Sequence, residues 1–131
     1  MAKDIPAAVR DILDSTALAH LATVMPDGSP QVSPVWFDFD GRLRINSARG
    51  RVKDRNMRRD ARVALSLVDP NDPNRGITIR GKITDVTENG ADAHIDKLAK
   101  KYLGVDKYPY RGPGEVRVIY TIEPTHISAI G

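Results

Sequence analysis

The sequence predicts a mainly β fold: a small barrel built from hairpins, with about six strands and three helices. Three observations predict it: strand-length runs in which apolar and polar residues alternate, short turn-rich connections between those runs, and three segments with helical features. The 131 residues, 40% apolar and 28% charged, are expected to fold as a single domain over residues 1–131. A chain of this length buries roughly two-thirds of the surface that its unfolded form exposes.

The N-terminal half predicts a short helix followed by paired strands. Pro6 suits the first helical turn because its missing N–H needs no partner there, Asp4 is a candidate cap, and the helix is expected to end near Ser15. Residues 26–29, Pro-Asp-Gly-Ser, predict a hairpin turn, and residues 40–41, Asp-Gly, predict a second one. The predicted strands of this half cover residues 18–25, 31–39 and 43–46.

The C-terminal half predicts two helices, several strands and one loop. Residues 77–84 alternate apolar and polar side chains, as a half-buried strand does. Residues 91–103 place apolar side chains at helical spacing, and Gly104 ends that helix. Residues 69–76 are rich in Asp, Pro and Asn and predict a loop, and Pro124 is expected to separate the last two strands. The other predicted elements are a helix at 51–60 and strands at 63–68, 115–122 and 126–130.

The composition excludes several classes of protein. The chain has no Cys, which excludes disulfides, thiolate catalysis and thiolate metal sites. Its apolar runs are far shorter than the ~20 residues of a membrane span. The N-terminal segment carries three Asp and lacks the apolar stretch of a secretory signal. We therefore expect a cytoplasmic protein with no membrane partner.

Metal sites and hydrolase triads are not indicated by any motif. His20, His94 and His126 are far apart and lack the spacing of metal ligands, so we expect each on the surface of its strand or helix and no metal site. No serine stands in a GxSxG elbow, which leaves a hydrolase triad without support. Asp38 and Asp40 flank the second turn, where Asp is favoured for backbone reasons.

One short segment makes the protein basic. Residues 49–62 contain seven Arg or Lys and two Asp, a local charge of +5 in a chain whose net charge is +3. If residues 51–60 form a helix, the cations of its first turn face the positive end of the helix dipole, which is unfavourable unless an anion binds there. The segment therefore predicts an anionic partner, and the alternative is a solvated helix face.

The residues around the start of this helix suit a phosphate. Backbone N–H groups at a helix N-terminus bind phosphate, and the Ser47 hydroxyl stands just before the helix. Gly50 allows the backbone to approach a ligand closely. Arg51 and Lys53 add long cationic side chains at the same place.

Several motifs are distinctive in combination. They are HLAT at residues 20–23, PDGSPQVSPVWF at 26–37, INS at 45–47, RVKDRNMRRDARVAL at 51–65 and HISA at 126–129. Together they resemble the pyridoxamine 5'-phosphate oxidase-like split β-barrel family, which binds FMN or a deazaflavin. Within that family the sequence is most similar to the actinobacterial branch of flavin/deazaflavin oxidoreductases that use coenzyme F420.

The resemblance implies an enzyme that works as a homodimer with two cofactor clefts at the subunit interface. It implies hydride transfer between the deazaflavin F420 and a small conjugated organic acceptor, with no catalytic side chain assigned. The cofactor-binding residues that it implies are Gln31, Ser33, Val35, Trp36, Asn46, Ser47, Arg51, Val52, Lys53, Arg55 and Asn56. Arg51 and Lys53 are implied to hold the cofactor phosphate, and Gln31, Ser33 and Val35 to lie near its ring.

Charge bears on the choice of cofactor. FMN ends in one phosphate, whereas F420 continues from a phosphodiester into a carboxylate-rich tail. Arg49, Arg55, Arg58 and Arg59 suit the longer anion, although an exposed ion pair contributes only about 0–1 kcal/mol. We therefore expect F420, with FMN as the alternative.

Two further alternatives concern the aromatic residues. Tyr102, Tyr108 and Tyr110 are candidate proton donors or lid residues, or else packing aromatics at a dimer surface.

A non-catalytic module that binds a cofactor or nucleic acid is the third hypothesis for function. Aromatic residues are not interleaved with the cations, so a nucleic-acid partner is not expected.

Overall fold

The protein folds as a seven-stranded antiparallel sheet with three helices in a computed structural model that describes residues 4–130. The strands are β1 (Ala19–Val24), β2 (Pro30–Val35), β3 (Phe37–Phe39), β4 (Leu43–Ala48), β5 (Arg62–Asp69), β6 (Asp72–Thr87) and β7 (Arg117–Ile130). The helices are α1 (Arg10–Asp14), α2 (Val52–Arg59) and α3 (Ala91–Leu103). Residues 1–3 and 131 of the predicted domain lie outside the described residues.

The order of the strands explains how the sheet curls into a barrel. The order is β2-β1-β5-β6-β7-β4-β3, so β2 and β3 are the two edges. A single residue, Trp36, connects these edge strands, and the sheet must therefore curl until its edges meet. The inner face buries fully the side chains of Phe37, Ile45, Ile79 and Tyr120. The predicted mainly β barrel is confirmed, with seven strands rather than about six.

Two predicted strand boundaries are wrong. The strand predicted at 31–39 breaks at Trp36, because Val35 pairs with β1 whereas Phe37 pairs with β4. The two strands predicted at 115–122 and 126–130 form one strand, β7. Pro124 does not end it, because Pro124 stands opposite Gly81 at a bulge, where a missing N–H is tolerated.

The turns and helix ends also refine the predictions. The loop predicted at 69–76 is a tighter hairpin, since Asp69 already pairs with Asp72 and β6 starts there. The first predicted helix is a 3₁₀ turn, Ala7–Val9, followed by α1, and no side chain caps either of them. The helices predicted at 51–60 and 91–103 are confirmed, and Gly104 ends α3 with a positive φ of 73°. Within residues 4–130, no helix is both long and apolar enough to cross a membrane.

The bulge between β6 and β7 generates a stability prediction. A Cβ added at Gly81 would lie 2.5 Å from the carbonyl oxygen of Glu123 in the paired backbone. Because neither strand can move without breaking the ladder, we expect Gly81→Ala to lower the free energy of unfolding by about 1–3 kcal/mol. Urea unfolding measures this change. Gly112→Ala is the matched control, since its Cβ would meet no atom within 4 Å, and equal stability of the two variants would contradict the prediction.

Candidate functional site

A cleft of about 340 Å³ opens beside the junction of β2 and β3. Its walls come from that junction, from β4, from the start of α2, from α3 and from the segment that leads into β7. The lining residues are Leu18, Pro34, Val35, Trp36, Asn46, Arg51, Lys53, Ile95, Tyr108, Tyr110 and Arg117. The cleft therefore combines aromatic side chains with three cations.

Two of the three cations share one carboxylate, Glu115, and the third pairs with none among the described residues. Arg51 Nη2 lies 3.0 Å from Glu115 Oε1, and Arg117 Nη1 lies 3.3 Å from the same oxygen. Lys53 Nζ donates to Ser33 Oγ at 3.5 Å and pairs with no carboxylate among the described residues. Burial lowers the pKa of Lys53, and the positive charges of Arg51 and Arg117 lower it further. A bound anion would relieve this repulsion.

The start of α2 is fixed from behind by a buried carboxylate. Asp54 Oδ2 accepts a hydrogen bond from the Gly50 N–H at 2.9 Å, and its Oδ1 accepts from Arg58 Nε at 2.9 Å and from the Tyr120 hydroxyl. Burial opposes ionisation of Asp54, but the hydrogen bonds from Gly50, Tyr120 and Arg58 hold its pKa below the ordinary value. The loop before α2 is thereby anchored to β7.

The N-terminal end of α2 is open to a ligand. Arg51 is the N-cap residue, and no side chain makes a capping hydrogen bond there. The backbone N–H groups of the first helical turn, beginning at Val52, have no partner within the helix. Together with Arg51 and Lys53 they can hold a phosphate.

An aromatic ladder forms another wall of the cleft. The rings of Trp36 and Tyr102 are stacked with centroids 5.2 Å apart, and Tyr108 meets Trp36 edge-on at 5.9 Å. Tyr110 meets Tyr108 edge-on at 5.8 Å, and Arg117 Cζ lies 5.1 Å from the centroid of the Tyr108 ring. The flat side of the cleft suits a planar conjugated ring.

Tyr102 supports Trp36 and is poorly suited to donate a proton to a substrate. Its hydroxyl donates to the Ala17 carbonyl at 2.7 Å and accepts from the Phe37 N–H at 3.4 Å. Burial raises the pKa of Tyr102 to about 12. Tyr108 and Tyr110 line the cleft directly, so a lid or contact role stays open for them.

The structure brings together part of the predicted cofactor wall. Val35, Trp36, Asn46, Arg51 and Lys53 line the cleft. Ser33 is not a lining residue, but its hydroxyl contacts Lys53. These six predicted residues form one continuous surface around the cleft.

The side chains of the other five predicted residues lie away from the cleft lining, although the Val52 N–H stands at the start of α2 between the lining residues Arg51 and Lys53. Gln31 and Asn56 both bond to the Thr23 hydroxyl, at 3.4 and 3.0 Å. Arg55 donates to the Gly50 carbonyl at 2.7 Å, and the Val52 side chain is exposed. Ser47 is buried, and because side chains alternate along β4 it lies on the face opposite Asn46.

The cations of residues 49–62 that do not line the cleft have partners within the chain. Arg49 pairs with Glu88, and Arg58 pairs with Asp54. Arg55 and Arg59 donate to the backbone carbonyls of Gly50 and Val24. The cationic surplus expected from the sequence is therefore concentrated in Arg51, Lys53 and a third cation, Arg117.

Sequence reasoning missed Arg117 and misplaced two other residues. Arg117 is buried within the apolar run that starts β7, and an arginine in such a run is itself a signal of function. His94 is not a surface residue as predicted: it is buried and contacts Asn46. Asp38 is more than a turn residue, because it is buried and makes two hydrogen bonds with Arg44.

No metal centre is evident in the part of the chain that the structure describes. Among residues 4–130, no three side chains of His, Asp or Glu are close enough together to hold a metal ion.

Comparison with known proteins decides the family. The family model of pyridoxamine 5'-phosphate oxidase matches residues 5–131. The chain belongs to this family. Its resemblance to the F420-dependent branch is also confirmed, since a solved F420 reductase is 35% identical, with a TM-score of 0.83 over 95% of this chain and 98% of that one. The chain is thus a member of an oxidoreductase family.

More distant structures share the fold. A conserved hypothetical protein from Mycobacterium tuberculosis is 21% identical, with a TM-score of 0.74 over 98% of this chain and 86% of that one. HupZ from Group A Streptococcus is 20% identical, with a TM-score of 0.66 over 96% of this chain and 94% of that one. The barrel of this chain therefore recurs in proteins with little sequence in common.

The anchor at Asp54 generates a prediction about pH. Asp54→Asn removes the charge that Arg58 and Tyr120 bind, so we expect the free energy of unfolding to fall by about 1–3 kcal/mol at neutral pH. Because the pKa of Asp54 is lower in the folded chain, its contribution is present above the unfolded pKa of about 3.9 and is lost as the pH falls further. The stability difference between wild type and variant should therefore shrink in acid.

Urea unfolding at a series of pH values measures this difference. Asp60→Asn is the matched control, because Asp60 pairs with Arg62 at the surface, and its unfolding midpoint should stay close to that of the wild type. A difference between Asp54→Asn and wild type that is independent of pH would contradict the anchoring role.

Proposed function

We propose that the protein is an F420-dependent oxidoreductase that transfers a hydride between coenzyme F420 and a small conjugated organic acceptor. The observation that carries the proposal is the convergence of Arg51, Lys53 and Arg117 on a cleft that also contains Trp36. The likeness to an F420 reductase at 35% identity supports the same cofactor.

The residues present fit such a group. Arg51, Lys53 and the first N–H groups of α2 would hold the phosphate, since together they provide charge and directed donors. The buried Nη1 of Arg117 lies 3.3 Å from Glu115 Oε1 but makes no well-aligned hydrogen bond within the described residues, so it would have donor capacity left for a bound anion. Trp36 and Val35 would border the ring.

Hydride transfer would need few reactive protein side chains. A bound deazaflavin supplies the hydride-transfer chemistry at its ring. The chain would orient that ring against the Trp36 side of the cleft, and Ile95, together with Leu18 once a second copy covers it, would exclude water from it. The lining also contains the amide side chain of Asn46, which is held by Arg117 and His94.

A homodimer is part of the proposal. Leu18 and Tyr110 line the cleft while being 42% and 66% exposed, and Val52 and Val116, the chain neighbours of Lys53 and Arg117, are exposed as well. Apolar side chains around a cleft suggest a surface that another protein covers. A second copy of the chain at this rim would complete the cleft. Light scattering is expected to give the mass of two chains, and the mass of one chain at micromolar concentration would contradict the dimer.

FMN is the second candidate cofactor. The observation that favours it is that Arg49, Arg55, Arg58 and Arg59 already have partners within the chain, which leaves the charge of the cleft suited to a single phosphate group. The family match does not separate the two cofactors, because it names the oxidase rather than its ligand. Direct titration separates them.

The anion site generates a binding prediction. We expect wild-type protein to bind F420 more tightly than FMN, and Arg51→Ala or Lys53→Ala to weaken binding by about 1–3 kcal/mol because each removes a charge-assisted contact. Quenching of cofactor fluorescence measures the affinity. Arg62→Ala is the matched control, because Arg62 pairs with Asp60 beyond the opposite end of α2.

Three results would count against this proposal. Tighter binding of FMN would replace the cofactor, whereas binding of neither cofactor would remove the redox function. Binding to an oligonucleotide with a steep dependence on salt would support the nucleic-acid alternative instead.

A further inference from the structure

We propose that His94 is a positioning residue for the anion site, where it orients the Arg117 guanidinium through Asn46. The inference deepens the proposed function and rests on it. The juxtaposition that suggests it is a buried chain of polar groups that runs from Asp38 through His94 and Asn46 to Arg117 beneath the cleft.

The orientation of the Asn46 amide is forced by its neighbours. Its Nδ2 lies 3.0 Å from the Ala91 carbonyl oxygen, which can only accept a hydrogen bond, and its Oδ1 lies 2.9 Å from Arg117 Nε, which can only donate. An amide turned the other way would place its nitrogen against a donor, Arg117 Nε, and its oxygen against an acceptor, the Ala91 carbonyl. The Nδ2 group therefore points toward His94 as well, at 3.0 Å from Nδ1.

The protonation of the His94 ring follows from that orientation. Because Nδ2 of Asn46 donates, Nδ1 of His94 must be unprotonated and accept. The proton of a neutral imidazole then sits on Nε2, which lies 3.2 Å from Asp38 Oδ1. The carboxylate charge of Asp38 beside Nε2 favours the tautomer that Asn46 requires, without a well-aligned hydrogen bond between the two groups.

Charged groups from two elements hold Asp38 in place. Arg44 on β4 donates to both carboxylate oxygens, at 3.3 and 3.0 Å, and Lys97 on α3 lies 3.5 Å away. Burial opposes ionisation of Asp38, but His94 and Arg44 hold its pKa well below the ordinary value. The carboxylate is therefore a fixed acceptor at one end of the chain of groups, and the cation Arg117 is the donor at the other end.

Glu115 links the Arg117 side chain to Arg51 in the cleft. Arg117 shares Oε1 of Glu115 with Arg51, so a change in the Arg117 side chain also changes the environment of Arg51. Doubly protonated His94 would lose its acceptor at Nδ1 and would repel Asn46 Nδ2. Neutral His94 therefore keeps Arg117 and Arg51, two of the three cleft cations, in the arrangement that binds an anion.

The first test needs no ligand. Long-range ¹H–¹⁵N spectra of the wild-type protein are expected to show His94 with Nε2 protonated and Nδ1 unprotonated, and a slowly exchanging Nε–H of Arg117. Protonated Nδ1 at neutral pH would overturn the inference. This measurement stands apart from the proposed function, which fails if the wild type binds neither F420 nor FMN.

The second test uses variants and F420 affinity. We expect His94→Leu, which removes the acceptor, to weaken binding about ten- to hundredfold and to abolish the protection of the Arg117 Nε–H. His94→Asn restores an acceptor near the Nδ1 position and should bind within about threefold of the wild type. His126→Leu is the matched control, because His126 is exposed on β7 and bonds to Thr125 rather than to cleft residues.

A double-mutant cycle separates positioning from general damage. If His94 acts through Arg117, then His94→Leu should change affinity little in an Arg117→Gln background, so the two effects are not additive. Additive effects, or failure of His94→Asn to restore binding while the Arg117 Nε–H stays protected, would overturn the inference. If His94→Leu does not fold, the wild-type tautomer and the His94→Asn variant still decide it.

Discussion

The repulsion among three positive side chains in one cleft is the constraint on which the rest of the structure depends. Arg51 and Arg117 share a single carboxylate, Glu115, and Lys53 pairs with none among the described residues. Burial lowers the pKa of Lys53, and the charges of Arg51 and Arg117 lower it further. Like charges at this distance cost free energy unless an anion balances them. The fold holds the segments that carry the cations in place, since Asp54 anchors the Gly50 N–H before α2 and Asn46 accepts a hydrogen bond from Arg117.

The closure of the barrel brings these groups together. Trp36 connects the two edge strands, so the chain that leaves β2 must turn into β3 beside β4, where Asn46 lies. β7 pairs along β4 and places Arg117 next to Asn46. The same turn stacks Trp36 on Tyr102 and gives the cleft its flat wall. The position of the site is thus a direct result of the strand order.

Sequence patterns predicted what depends on local periodicity and composition. The helices at 51–60 and 91–103, the barrel and the cationic segment could all be read from spacing and charge. The break at Trp36 and the continuous β7 could not, because each depends on which strand becomes the neighbour. Arg117 and His94 join the site through contacts with Asn46, 71 and 48 residues away in sequence. The apolar run around Arg117 marks that residue as unusual, but no local pattern indicates which residue it contacts.

A crystal structure of the protein soaked with F420 will show directly whether the three cations of the cleft bind the cofactor. If the cleft binds F420, the phosphate of the cofactor will lie within hydrogen-bonding distance of Lys53 and Arg51, and its ring will lie beside Trp36. A second copy of the chain will cover the rim of the cleft. Cofactor bound elsewhere on the barrel, or a cleft whose cations contact no anion at saturating F420, would contradict it.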